Sequence, residues 1–374
     1  MESQIRRKPV GDDQRPAATL SYGDHFGPYV ITGFAGCGAT SYVYRARRRD
    51  RFEPVAIKVL HPHLVADPTR RLTFYREARI MMRMDHPNVV RFEEIIEDGD
   101  TLAFVMEYVD GMTLDEWRRA NSGRVDEQTL ACVFVDVLRG VTAAHREGVV
   151  HRDLKPGNIL IGEQNGRSIA KIIDFGVARF VDKPLTTHEK SKIIGTAAYI
   201  SPEEVGSPQR VGPQSDLYSI GVMLYEAACG QRPFDGMDTR ELLEAHVRRQ
   251  PERPGRVNPE MSRHLEEVIL QTLGKNPGQR FSSAPEMIGA LESVLYAPGE
   301  GEVGAEGDDE LDQMATTHWE RADEQTEKQQ EGGVGTFLRS CLQVAAMLVP
   351  DTGAENGADQ RHYLNRNVDP RMPF

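Results

Sequence analysis

Cysteine is scarce in this 374-residue chain: four occur, Cys37, Cys132, Cys229 and Cys341, with no close pair. That spacing supports neither a disulfide framework nor a zinc site, and it fits free thiols in a reducing compartment. Long apolar runs are missing too. The strongest in the C-terminal part, Phe337 to Val349, is interrupted by Arg339 and Gln343 and falls well short of the roughly 20 residues a spanning helix needs. Met1 to Pro16 lacks the apolar core of a secretory leader. These absences set the expectation of a cytoplasmic protein with no transmembrane segment. Positive charge is in deficit, with 45 Lys and Arg against 57 Asp and Glu, a net −12. A nucleic-acid partner is therefore not expected, because neutralising a phosphate backbone takes clustered cations. The acid is concentrated after Pro298, at Glu300, Glu302, Glu306, Asp308, Asp309, Glu310 and Asp312, so the preceding part is close to balanced.

What is present suits a soluble globular domain: 39% hydrophobic and 27% charged residues. Residues 1–27 read as a flexible lead-in of mixed charge. Strand-like runs follow at Tyr29–Ile31, Ser41–Tyr44 and Val55–Leu60, then helical periodicity from Leu72 to Met84, then strand-like runs at Val89–Ile96 and Leu102–Tyr108. After Asp110-Gly111 helices dominate: Leu114–Ala120, Asp126–Glu147, Ser215–Cys229, Thr239–Arg248, Glu260–Leu273 and Ala284–Leu295. A strand-rich first part and a helix-rich second part predict an α+β fold of two lobes, 28–109 and 110–297, with a cleft between them. Residues 298–335 read as an acidic disordered linker. A short amphipathic helix at 336–350 has Leu338, Leu342, Ala345 and Val349 on one face and suits docking or a partner, and 351–374 reads as a polar tail.

Several segments carry chemistry. Gly36-Cys37-Gly38-Ala39-Thr40-Ser41-Tyr42-Val43 lies between two strand-like runs, and glycines there let backbone amides approach phosphate oxygens. A tight hairpin is the competing explanation. Lys58 sits midway along an apolar strand, which is costly unless its ammonium has a partner. Glu77 on the following helical stretch is the obvious one, although a snorkelling Lys58 and a solvated Glu77 fit the pattern as well. His151-Arg152-Asp153-Leu154-Lys155-Pro156-Gly157-Asn158 follows a helix, and Lys171-Ile172-Ile173 leads into Asp174-Phe175-Gly176. Moving a γ-phosphoryl group takes divalent metal on the phosphates, cationic support and a carboxylate to orient the incoming hydroxyl. Asn158 and Asp174 offer the oxygen ligands magnesium prefers, and Asp153 is left to serve the hydroxyl. A turn role for Asp153 and a capping role for Asn158 are the plainer alternatives.

In this order and spacing, from about Tyr29 to Leu295, the segments resemble the protein-kinase signature set, in the form found in bacterial receptor-type kinases of the mycobacterial kinase B group. The resemblance implies a small sheet-plus-helix lobe over a helical lobe, and an enzyme that moves phosphate from ATP to Ser or Thr of proteins and to itself, with Mg2+ or Mn2+. Lys58 would hold the α- and β-phosphates and Glu77 would hold Lys58. Ala35 and the Gly36–Ser41 loop (Gly36, Cys37, Gly38, Ala39, Thr40, Ser41) would cover the nucleotide. Met106 would be the gatekeeper, Glu107 and Val109 would bond adenine through their backbones, and Val43, Ala56 and Leu160 would sandwich the ring. Asp153 would be the catalytic carboxylate, Lys155 a cation beside the transferring phosphate, and Asn158 and Asp174 the metal ligands. Met81, Phe92, His151 and Phe175 would stack as a spine, Asp216 would anchor the catalytic loop, and Glu203 would pair with Arg280. Lys155-Pro156 and Thr196 are the Ser/Thr form. Arg152 implies control by phosphorylation of the activation segment, at Thr186 or Thr187. Two positions depart from the pattern: Ser41 replaces the third loop glycine, and Ala35 stands where a larger aliphatic is usual. A pseudokinase, an ATP-binding or scaffold module without transfer, and a small-molecule phosphotransferase of related fold are the alternatives.

Overall fold

Alternating β-branched and aromatic residues build the first lobe. Strands β1 (His25–Phe26), β2 (Tyr29–Cys37), β3 (Ser41–Arg48), β4 (Pro54–Leu60), β5 (Phe92–Asp98) and β6 (Thr101–Glu107) form a 6-stranded sheet in the order β1-β2-β3-β4-β6-β5, and every pairing is antiparallel. The computed structural model describes residues 20–121, 125–164, 166–176, 178–180 and 197–296. One sheet face closes a core of its own from Phe26, Tyr29, Ile31, Tyr44, Ile57 and Val105. The other face, with Ala56, Leu60, Phe104 and Met106, joins the main core that continues into the second lobe. Helices α1 (Pro62–Val65) and α2 (Pro68–Met81) interrupt the strands between β4 and β5. Pro68 opens α2 where its missing N–H costs nothing, and Asp67 caps the helix by accepting from the Thr69 N–H.

The second lobe begins with β7 (Gly111–Thr113), α3 (Leu114–Ala120), α4 (Glu127–Arg146) and β8 (Val149–Val150). It continues through β9 (Ile159–Gln164), β10 (Arg167–Ile172) and β11 (Arg179–Phe180) to α5 (Pro202–Gly206), α6 (Pro213–Cys229), α7 (Thr239–Arg248), α8 (Pro254–Val257), α9 (Arg263–Thr272) and α10 (Ala284–Tyr296). Leu217, Tyr218, Ile220, Val222, Leu224 and Tyr225 of α6 are almost wholly buried, so this helix is the axis around which α4, α8 and α9 pack. The lobes are tied behind the cleft. Val90 N–H donates to the Ile172 carbonyl, Ile172 N–H to the Asn88 carbonyl, and Asn88 Nδ2 to the Ala170 carbonyl at 2.9 Å. A Cβ at Gly140 would lie 2.6 Å from the Asn88 carbonyl oxygen, so glycine is what lets α4 approach this tie.

Several boundaries differ from expectation. The ordered lobe starts inside the stretch read as a lead-in: Leu20 packs on the outer-face core, and β1 pairs His25 with Val30. Helix α2 begins at Pro68 rather than Leu72 and ends at Met81 rather than Met84, because Asp67 supplies the cap. The run from Val89 divides: Val89 bridges to Ile172, and the strand proper is Phe92–Asp98. The helix expected from Glu260 starts at Arg263, after Ser262 accepts from the Leu265 N–H. Of the β9–β10 hairpin, only the Ile159–Ile161 run was anticipated. Residues 1–19, the linker 298–335, the helix 336–350 and the tail 351–374 lie outside the described residues.

The Glu203–Arg280 pair expected from sequence is present and buried. Arg280 donates from two nitrogens to the two Glu203 oxygens, each at 2.8 Å, and also to the carbonyls of Gly274 and Gln214. Ser215 Oγ adds a 2.6 Å bond to Glu203. Removing one member strands a buried charge, at about 3–5 kcal/mol. Arg280→Ala is therefore expected to lower the urea midpoint strongly, whereas Glu203→Gln with Arg280→Met costs much less than the single change; equal losses for the two proteins would contradict this account.

Candidate active site

Lys58 lies on β4, in the strand face that meets the main core, and only 8% of it is exposed. Its Nζ donates to Glu77 Oε1 at 2.5 Å and to Asp174 Oδ1 at 3.2 Å, and it sits 5.5 Å from the centre of the Phe104 ring. Glu77 is on α2 and Asp174 follows β10, so one ammonium joins the sheet, the helix and the second lobe. Burial works against the charge on Lys58, but the carboxylates of Asp174 and Glu77 outweigh it and hold the ammonium protonated. Burial lifts Glu77 to about 7 against the pull of Lys58, with the negative charge of Asp174 adding to the rise. Asp174 moves the other way: burial alone would raise it, yet Lys58 and the Gly176 N–H hold it well below the ordinary carboxylate range. The snorkelling alternative for Lys58 is thereby excluded.

The Asp174-Phe175-Gly176 turn is tightly specified. Asp174 has φ +64°, and its Oδ1 accepts from the Gly176 N–H at 3.0 Å. A Cβ at 176 would fall 2.9 Å from Asp174 Oδ1 and 3.3 Å from Glu77 Oε2, so only glycine fits between the two acids. The Phe175 ring is fully buried and lies 4.8 Å from His151. Met81 and Phe92 belong to the same core.

The His151–Asn158 loop is shaped by Asp216 of α6. Its carboxylate accepts from the backbone N–H of His151 and of Arg152, each at 2.9 Å, and bonds His145 Nε2 at 2.8 Å. Burial would lift the Asp216 carboxyl, but His145 and these donors keep it below its ordinary value. Arg152 takes φ +63°, which costs a non-glycine residue about 1–2 kcal/mol. Next to it, Asp153 Oδ2 accepts from Lys155 Nζ at 2.8 Å and from Asn158 Nδ2 at 3.1 Å. Asn158 Nδ2 also donates to the Asp153 carbonyl at 2.8 Å. This leaves Asn158 Oδ1 and Asp174 Oδ2 without a hydrogen-bond donor among the described residues, two hard oxygens of the kind a divalent cation takes. Among the described residues no cluster of His, Cys, Asp or Glu encloses a metal by itself. The pair therefore fits a cation that draws its remaining ligands from phosphate and water.

The adenine-site residues assemble along the hinge. Ala56 is paired with Met106 across β4 and β6, and both are buried. Val43 and Val109 are partly buried against the same core, and Leu160 of β9 pairs with Thr113. The Glu107 side chain holds Lys171 Nζ at 2.7 and 2.9 Å, a contact with no signature in sequence. Gly36 and Cys37 close β2, Gly38, Ala39 and Thr40 make the turn, and Ser41 opens β3 with its side chain buried. Ala35 is partly exposed. Thr186 and Thr187 lie outside the described residues. Arg152 is described, and its Nε is buried with no hydrogen-bond partner among them.

Comparison with known proteins fits this geometry. The family model described as protein kinase domain matches residues 29–291. The chain belongs to the protein kinase family. Its kinase domain is 38% identical over 269 residues to the serine/threonine-protein kinase PkaA of Streptomyces coelicolor, covering 68% of this chain and 48% of that protein. It is 35% identical over 271 residues to the serine/threonine-protein kinase PknB of Mycobacterium tuberculosis, covering 71% of this chain and 42% of that protein. The chain thus spans less than half the length of these curated relatives. The crystal structure of the Mycobacterium tuberculosis PknI kinase domain superposes with a TM-score of 0.57 at 24% identity, covering 74% of this chain and 99% of that one, a likeness of fold.

His61 is another residue that sequence reasoning missed. His61, just after β4, donates its backbone N–H to the Thr40 carbonyl at 2.9 Å, and its Nε2 meets the Gly38 carbonyl at 2.9 Å. A carbonyl can only accept, so Nε2 carries the proton. The ring packs against Tyr42 at 4.2 Å and stacks on His63 at 5.6 Å. His61 thus acts as a strut beneath the glycine-rich turn. One such bond contributes about 0.5–1.5 kcal/mol, so His61→Ala is expected to raise the KM for ATP roughly twofold to tenfold with kcat nearly kept. His61→Gln, which retains an Nε2 donor, recovers most of the loss; a fall in kcat at unchanged KM would reject the strut.

Proposed function

We propose that this kinase domain is a catalytically competent serine/threonine protein kinase, taking the γ-phosphoryl group of ATP to hydroxyls of protein substrates. The observation that carries it is the Lys58–Glu77–Asp174 cluster lying next to the Asp153–Lys155–Asn158 loop, where the Ile173 N–H donates to the Asn158 carbonyl at 2.9 Å. The side-chain types the transfer needs are all present, and their mutual hydrogen bonds support this reading. The names of the curated relatives support the Ser/Thr class, as does Lys155 bonded to Asp153.

In this mechanism Lys58, held protonated and fixed by Glu77, binds the α- and β-phosphates. Asn158 and Asp174 would hold a divalent cation, Mg2+ or Mn2+, which would supply neutralisation of phosphate charge. Met106 limits the depth of the adenine site, Ala56, Val43 and Leu160 flank the ring, and the Glu107 and Val109 backbones bond its edge. Ala35 and the Gly36–Ser41 turn cover the phosphates. Asp153 orients the incoming hydroxyl and accepts its proton, and Lys155 balances charge on the moving group. A cytoplasmic location belongs to the same proposal, supported by the free thiols of Cys37, Cys132 and Cys229; no described helix is long and apolar enough to cross a membrane. The 336–350 segment, apolar on one face, is proposed to bind a partner or the kinase domain itself.

Radiolabelled phosphate transfer to a generic protein substrate tests the activity. Asp153→Asn and Lys58→Ala are each expected to lower it by about a hundredfold or more. Transfer only to metabolites, or nucleotide binding with no transfer by the wild type, would overturn the assignment.

Phosphorylation of Thr186 or Thr187 is proposed to set the active state through Arg152. The guanidinium is pressed below its usual basicity by burial and is only partly compensated by Glu204 and Asp216. A phosphate brings about −1.5 to −2 charge to such a group. Incubation with ATP is expected to add phosphate at one of these threonines, seen by mass spectrometry, and Arg152→Ala to remove the resulting gain in rate. Full activity of a Thr186→Ala/Thr187→Ala protein would refute this.

A further inference from the structure

The hinge-side end of the first lobe carries a charge pattern that catalysis does not use. Arg45, Arg47, Arg48, Arg49 and Arg51 fall together at the end of β3 and in the turn into β4, against only Asp50 and Glu53 nearby. Asp50 is taken by Arg48 at 3.1 Å, Arg49 bonds the His25 ring, and Arg45 lies over the Tyr108 ring, 4.8 Å from its centre. Arg47 and Arg51 are exposed and have no acidic partner among the described residues.

Strand geometry says which way the strip faces. Tyr44 and Ala46 point into the outer-face core, so Val43, Arg45 and Arg47 share the opposite face, that of the nucleotide cleft. Arg45 stands directly opposite Ala56 of the adenine site. The strip therefore begins at the mouth of the cleft, beside Tyr108, and runs outward.

A polyanion of matching size exists in the same chain. From Pro298 to Asp312 there are seven carboxylates, Glu300, Glu302, Glu306, Asp308, Asp309, Glu310 and Asp312, and no Lys or Arg. This stretch begins just after α10, whose last turns lie on the hinge side. Glu292 pairs with Arg139, which pairs with Asp136. Asp136 bonds the Ala170 N–H, the adjoining Lys171 holds Glu107, and Glu107 pairs with Val55, the partner of Ala46 between Arg45 and Arg47. With strands about 4.8 Å apart, long side-chain pairs spanning about 10 Å, and the steps from Ala170 to Lys171 and from Glu292 to Tyr296 added, that route is at most about 60 Å, and the straight line is shorter. Asp308 to Asp312, 12 to 16 residues past Tyr296, reach about 40–55 Å when extended.

We propose that the acidic stretch Glu300–Asp312 docks in cis on the Arg45–Arg51 strip. A tethered segment meets the strip at an effective concentration in the millimolar range, whereas an anionic bilayer or nucleic acid must first approach a chain of net charge −12. Exposed ion pairs are individually weak and are screened beyond about 10 Å at 0.1 M salt. The docked state is therefore a salt-sensitive population rather than a rigid lock. It does not depend on the catalytic assignment.

Hydrogen exchange of the 374-residue chain, followed by mass spectrometry on the 44–54 peptide, tests it. One variant carries Gln or Asn at all seven acids. A second combines Arg47→Glu, Arg49→Glu and Arg51→Glu with Glu306→Arg, Asp308→Arg and Glu310→Arg. At about 0.05 M salt the wild type is expected to exchange about twofold to fivefold more slowly than the neutralised variant, and the difference to vanish near about 0.5 M. The charge-swapped protein should regain the protection. Equal exchange in wild type and neutralised variant overturns the proposal. So does protection that grows with protein concentration, which assigns the strip to a second copy, and so does protection that needs added phosphatidylserine vesicles.

Discussion

A buried ion pair, Lys58 with Glu77, and the half-exposed Asp174 that joins it are what the rest of this molecule is arranged around. An isolated ammonium in the main core would be prohibitively costly, so β4 can carry Lys58 only if α2 brings Glu77 and the second lobe brings Asp174. The 2.5 and 3.2 Å contacts therefore do more than decorate a cleft. They set the rotation of α2, the reach of the loop after β10 and the closure of one lobe on the other. Loss of either carboxylate leaves the buried ammonium one hydrogen-bonded carboxylate instead of two. Chemistry and architecture share the same atoms here.

The second lobe repeats the device without any role in phosphate handling. Asp216 gathers His145 and two backbone N–H groups, and Arg280 gathers Glu203 and the carbonyls of Gly274 and Gln214. In each case a buried charge is satisfied by donors or acceptors from segments far apart in sequence. Loops with little apolar content of their own are held this way. The catalytic loop, for instance, keeps its shape through a helix that contributes nothing to the reaction.

Much of this was legible because the chemistry requires rare residue types in fixed order. A lysine inside an apolar strand, an Asp-Phe-Gly turn and an Asp–Asn pair five residues apart leave few alternatives once they occur together. Helices were also readable, since α3 and α7 match their periodic runs end to end. Boundaries set by caps were harder: Asp67 and Ser262 decide where α2 and α9 begin, and neither stands out among many polar residues. The β9–β10 hairpin had a local signal, Asn165-Gly166 between Gln164 and Arg167, which pair with each other, but the flanking strands are short and mixed in polarity. His61, His145 and Lys171 left no trace, because their partners are a backbone carbonyl, an α6 carboxylate and a hinge glutamate that only folding brings near.

The left-handed backbone at Arg152 has an evolutionary corollary. A long cationic side chain, half sunk in protein with one nitrogen unbonded and its main chain in an unfavourable region, contributes little to heat resistance. Asparagine or glycine would sit there with less strain. Laboratory selection for thermal endurance alone would drift toward those residues at position 152, while selection for the proposed phosphate-binding role would restore arginine. The two pressures pull one codon in opposite directions.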